Sequence, residues 1–98
     1  MAEALIVVDM IADFVYGRFG NSQAQSIIPN IQRLIESARS TGKQVLYAED
    51  NHLPTDPELR VHGIHAMKGT PGAEPIQELF PGSDEYRFQK RSYSSFRD

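Results

Sequence analysis

Ala4 to Val8 form an uninterrupted apolar run that stops at Asp9. Continuous rather than alternating patterning predicts a strand buried on both faces, as in the middle of a parallel sheet. After a connection containing Gly17 and Gly20, residues Ile27, Ile31, Leu34, Ile35 and Ala38 recur at helical spacing. Pro29 fits the first turn of that helix, and Gly42 stands where a helix would end. Val45 to Ala48 then predict a second strand, closing a strand–helix–strand unit. From Glu49 to Pro75 the chain carries Pro54, Pro57, Gly63, Gly69, Pro71 and Gly72 and no sustained period. This reads as one long loop, and ordered loops of that length inside compact domains usually carry function. Pro75 to Phe80 predict a short helix, Pro81 to Asp84 a turn, and Tyr86 to Gln89 a third strand.

This inventory puts the most apolar strand first and leaves the sheet unfinished. A strand buried on both faces needs neighbours on both edges, because unpaired backbone groups in a dry interior are costly. Ser92 to Asp98 read as the start of another connection. The expectation is completion by a partner copy, as in a homo-oligomer, or by further polypeptide.

Composition narrows the function. Ninety-eight residues with 10 Lys and Arg against 13 Asp and Glu give a formal charge of −3, which argues against nucleic acid or an anionic membrane as partner. No run approaches the roughly 20 apolar residues that span a bilayer, and Asp9 interrupts the early apolar stretch before a signal-peptide core could form. A cytoplasmic location is the expectation. The chain contains no cysteine, hence no disulfide, thiolate ligand or cysteine nucleophile of its own.

Asp9 falls at the carboxyl end of the first strand, where open α/β sheets place ligands. It is either a general base or a cap that bonds loop amides. Asp50 and His52 leave the same face of an extended stretch, a workable spacing for two metal ligands, with a solvated loop as the bland alternative. All three histidines fall between residues 52 and 65. That makes His65 the candidate third ligand and His62 its competitor. Lys90 follows the third strand and could approach Asp9 across the sheet, or be a surface lysine beside Arg91. Phe14 and Phe19 could wall a pocket for a flat ring, or simply be core. Gly17 to Gly20 lack the spacing of a phosphate-binding loop, and there is no G-x-S-x-G elbow. Serines 92, 94 and 95 have no histidine near them in a predicted element, so a serine mechanism is disfavoured.

Four segments in order resemble the first half of the isochorismatase-like cysteine hydrolases, in particular the nicotinamidase and pyrazinamidase-related branch. They are ALIVVDMIADF (Ala4 to Phe14), Asp50-Asn51-His52, HGIHAMKGTPGAE (His62 to Glu74) and KRSYSSF (Lys90 to Phe96). The resemblance implies a three-layer α/β/α, Rossmann-like doubly wound parallel sheet of strand order 3-2-1-4-5-6. Residues 1–98 would supply strands 3, 2 and 1 as the N-terminal part of one domain. It further implies that Asp9 is the catalytic acid/base and Lys90 its cationic partner, with a cysteine nucleophile beyond residue 98. Asp50, His52 and His65 would bind a divalent metal, usually zinc, with iron or manganese as alternatives. The implied reaction is hydrolysis of a small carboxamide to acid and ammonia through a thioester, with Phe14 against the substrate ring. The sequence departs from the family pattern at Ile11, where glutamine is common, and at His62, where an aromatic residue, typically tryptophan, is usual. By this carry-over both border the pocket, and His62 is a substrate contact or an alternative ligand. Two other readings are an isochorismatase-type or small-amide hydrolase without essential metal, and a non-catalytic half-domain that binds metal or a partner.

Overall fold

The computed structural model describes residues 3–90. The predicted connection from Ser92 and the Arg91 to Phe96 part of the last motif lie outside the described residues. Three parallel strands, β1 (Ala4–Val8), β2 (Gln44–Asp50) and β3 (Tyr86–Lys90), form one sheet in the order β1-β2-β3. Between β1 and β2 run α1 (Ala12–Val15), α2 (Ser22–Ser26) and α3 (Ile28–Ser40), and α4 (Glu58–His62) follows β2. Two 3₁₀ turns, Pro71–Ala73 and Gln77–Leu79, lead into β3. Parallel strands joined by a helix on one face make the α/β architecture expected from the sequence. Among the described residues no helix is long and apolar enough to cross a membrane.

Helix α3 forms where the apolar period is 3.6 residues. Gly42, at φ 75°, takes the left-handed conformation that ends it, and the Lys43 N–H donates back to the Ala38 carbonyl at 2.8 Å. Ile28, Ile35 and Ala38 of α3 pack on Val7, Val45 and Tyr47. Each fully buried aliphatic side chain of this kind contributes about 1.5–3 kcal/mol. A second, smaller cluster of Ile11, Ala66 and Ala73, with Phe14 against it, underlies the carboxyl ends of the strands.

Several sequence expectations are corrected. β1 is buried on one face only within residues 3–90: Ile6 is 57% and Val8 54% exposed, because α3 covers the face of Leu5 and Val7 alone. Leu34, counted in the helical stripe, is 56% exposed and faces an open apolar groove alongside β1 instead of the core. The connection after Asp9 is not bare loop but holds α1 and α2, the latter capped by the Asn21 side chain accepting from the Ala24 N–H at 2.8 Å. Glu49 and Asp50 belong to β2, and the loop that follows contains α4. The helix expected over Pro75 to Phe80 is only the 3₁₀ turn Gln77–Leu79.

Candidate active site and metal centre

Parallel register builds the first half of the site. Asp50 and Lys90 are partner residues at the carboxyl ends of β2 and β3, so their side chains leave the same face of the sheet. Asp9 follows β1 directly, its N–H donating to the Ala48 carbonyl at 2.8 Å. Its φ of 56° lies in the left-handed region, which costs an L-residue roughly 1–2 kcal/mol and is best tolerated by Asp and Asn. That turn brings its carboxylate back over the sheet, where Oδ1 accepts from the Asp50 N–H at 3.0 Å. Lys90 Nζ donates to Asp9 Oδ2 at 2.9 Å and to Asp50 Oδ1 at 2.6 Å. Asp9 thus caps a backbone amide, as one of its two expected readings has it, and it also meets Lys90 across the sheet.

Burial shapes the charges. Burial pushes the Asp9 carboxyl above its ordinary value, and the Asp50 charge adds to this, while the hydrogen bond from Lys90 opposes it. Burial alone would lower the Lys90 ammonium, which is 4% exposed, but its bonds to Asp50 and Asp9 prevail and raise it. The ammonium therefore stays charged beside a carboxylate that is easier to protonate than usual.

The other oxygen of Asp50 faces the second half. Oδ2 is 3.5 Å from His52 Nε2, and Asp50, His52 and His65 are all buried and offer ligand atoms within 4.8 Å of one another. His52 Nδ1 donates to Asp56 Oδ2 at 3.1 Å, and His65 Nδ1 donates to the Gly63 carbonyl at 2.8 Å. A carboxylate and a carbonyl only accept, so each Nδ1 carries a proton, and in the neutral rings Nε2 is the nitrogen with the lone pair. Two imidazole nitrogens and one carboxylate oxygen, oriented by such outer partners, are a donor set suited to zinc, iron or manganese with positions left open. The residues present fit a divalent metal.

Around the trio, the Phe19 ring lies 4.9 Å and the Phe14 ring 5.8 Å from that of His65. His62 is exposed on α4 with its ring 6.4 Å from that of His65, and it is not among the clustered ligand atoms. Ile11 is fully buried beneath the loop that carries His65. Sequence reasoning missed Asp56, which orients His52, because a four-residue spacing is a signal only on a helix and residues 52–56 form none.

The model of the isochorismatase domain family matches residues 3–98. The chain is 34% identical over 105 residues to a probable inactive nicotinamidase of Arabidopsis thaliana, an alignment covering 95% of this chain and 54% of that protein. Its backbone matches the crystal structure of N-carbamoylsarcosine amidase from Thermoplasma acidophilum with a TM-score of 0.92 and 41% identity, over 98% of this chain and 56% of that one. It matches the pyrazinamidase of Pyrococcus horikoshii in complex with zinc with a TM-score of 0.84 and 29% identity, over 98% and 59%. The chain spans a little over half the length of these relatives. Family model, identity and backbone agree with the parallel sheet: the chain belongs to the isochorismatase-like hydrolase family.

Proposed function

We propose that residues 1–98 are the N-terminal part of a single hydrolase domain and supply the acid/base and metal half of a nicotinamidase-like amidohydrolase. The cysteine nucleophile comes from polypeptide beyond residue 98. The observation that carries this reading is the double contact of Lys90, whose ammonium bonds Asp9 and Asp50 while Asp50 also borders His52. The amidase and pyrazinamidase named above support the substrate class, a small carboxamide.

In this mechanism Asp9 accepts the proton of the thiol, and the thiolate attacks the carboxamide carbon. As the C–N bond breaks, Asp9 returns the proton to the departing ammonia. A water then gives a proton to Asp9 and attacks the thioester, the C–S bond breaks, and the proton restores the thiol. Lys90 fixes the Asp9 carboxylate and screens it from Asp50. Asp50, His52 and His65 would hold the metal, which when bound orients the substrate through its open positions. Phe14, and His62 at the rim, flank the substrate. The partners are a small-molecule amide and a further copy or segment that completes the sheet, with neither nucleic acid nor membrane, in the cytoplasm.

The test is a carboxamide panel assayed for ammonia release with the full-length polypeptide, alongside metal analysis. The expected result is turnover with about one zinc, iron or manganese per chain, the metal being lost on His52→Ala. A metal-free protein of full activity overturns the metal assignment, and no turnover of any carboxamide overturns the amidase. The second reading, a non-catalytic metal-binding module, is favoured by the name of the Arabidopsis relative. It expects metal without turnover from the complete polypeptide. The 98-residue chain alone should release no ammonia under either reading.

A further inference from the structure

Asp13 takes no part in the chemistry above, yet it is wired to both histidines. Its Oδ2 accepts from the Ala66 N–H at 2.7 Å, across 53 residues of sequence. Ala66 follows His65 directly, and its carbonyl accepts from the His52 N–H at 2.7 Å. The peptide units flanking Ala66 therefore refer the backbones of His52 and His65 to one carboxylate.

Two further observations show that this contact is built in. Ala66 has φ 47°, a left-handed conformation that a residue with a Cβ rarely keeps unless its surroundings impose it. The space around the Asp13 carboxylate is kept by glycines: a Cβ on Gly72 would overlap it, and one on Gly17 would come within 2.7 Å of Oδ1. Beneath, the Ala12 N–H donates to the Glu74 carbonyl at 2.9 Å and the Ile76 N–H to the Met10 carbonyl at 3.0 Å, so the segment carrying Asp13 is itself anchored.

We propose that Asp13 is a positioning residue for the metal ligands, holding the His65-Ala66 peptide so that His52 and His65 converge with Asp50. The inference rests on the metal assignment under Proposed function. Without the carboxylate, Ala66 has no acceptor for its N–H and relaxes toward right-handed φ, turning the His65 backbone. Gly72→Ala displaces the same carboxylate from the side without removing it.

The experiment measures the zinc dissociation constant of the full-length polypeptide by chelator competition, with folding followed by circular dichroism. Asp13→Ala should weaken zinc about 10–100-fold, the usual effect of losing an outer-shell partner. Gly72→Ala should weaken it too. Asp13→Asn keeps an acceptor oxygen and should recover part of the loss. Ile35→Ala, a core change on α3, should lower the unfolding midpoint without changing zinc affinity. Wild-type affinity in folded Asp13→Ala overturns the inference. So does an equal loss in Ile35→Ala, which would assign the effect to general stability. If Asp13→Ala does not fold, wild-type affinity in both Gly72→Ala and Asp13→Asn overturns it. A wild-type protein that binds no zinc sinks the metal assignment itself, and the inference with it.

Discussion

Lys90 is held by two carboxylates, so its removal leaves Asp9 and Asp50 facing each other without a cation. Breaking a buried ionic pair from one side costs about 3–5 kcal/mol. Asp9 is part-exposed at 27% of its side chain, so Lys90→Met should cost near the lower end of that range, read as a fall in the urea unfolding midpoint. Asp9→Asn removes the group that accepts and returns the proton, with little change in volume. It should lower turnover of the complete enzyme about 10²–10⁴-fold while zinc content stays near wild type. Near-normal ammonia release in this variant would refute the acid/base role. At this scale the sequence shows which residues can do chemistry but not which pairs meet. Asp50 and His52 are legible as neighbours because a strand repeats every two residues. The Lys90–Asp50 contact depends on strand register, which no local pattern encodes, and Asp56 is hidden because it reaches the Nδ1 of His52 from a turn, where spacing carries no signal.

Helix α3 is tied to the turn that leads into β3 by Arg39 and Glu85, paired at 2.6 Å. The hydrogen bond from Arg39 lowers the Glu85 carboxyl below its ordinary 4.5, although partial burial opposes it. A folded-state value below the unfolded one means that the pair stabilises fully above the ordinary value. Its contribution is lost as pH falls through the lowered one. Because Arg39 is 43% exposed the effect is at most about 1 kcal/mol. Arg39→Met should therefore lower the urea midpoint more at pH 7 than at pH 3. The two leucine-like positions of α3 should separate sharply in this chain. Ile35→Ala, at 3% exposure, should cost about 2–5 kcal/mol, whereas Leu34→Ala should stay within about 0.5 kcal/mol. Helical period places both on one stripe, and only the position of the sheet edge decides between them. α1, α2 and α4 are illegible for a different reason. Each is at most five residues long, too short for a period to declare itself, and α2 alone of the three has a side-chain cap.

Across the whole molecule, the sheet face opposite α3 presents Ile6, Val8, Tyr86 and Phe88, each more than 40% exposed, next to a β1 edge paired on one side only among the described residues. An apolar face beside an open edge is a template for association. The 98-residue chain made alone should bind the dye ANS and self-associate in sedimentation runs. Ile6→Lys with Phe88→Lys should reduce both. Monomeric, dye-free behaviour of the unaltered chain would count against an incomplete sheet. The apolar run of β1 predicts burial on both faces, and residues 3–90 cover only one, because hydrophobic pattern reports a strand's preference and not which side the neighbouring helix takes. The two halves of the site draw on very different spans of chain. The metal trio is assembled from residues 50 to 65, whereas Lys90 reaches Asp9 across 81 positions through β3, the outer strand. Fraying of that strand would part the acid from its lysine and take the same ammonium from Asp50, while His52 and His65 keep their own partners, Asp56 and the Gly63 carbonyl. Zinc carried per molecule would then overstate the number of molecules competent to react, and titrating active sites is the sounder way to count them.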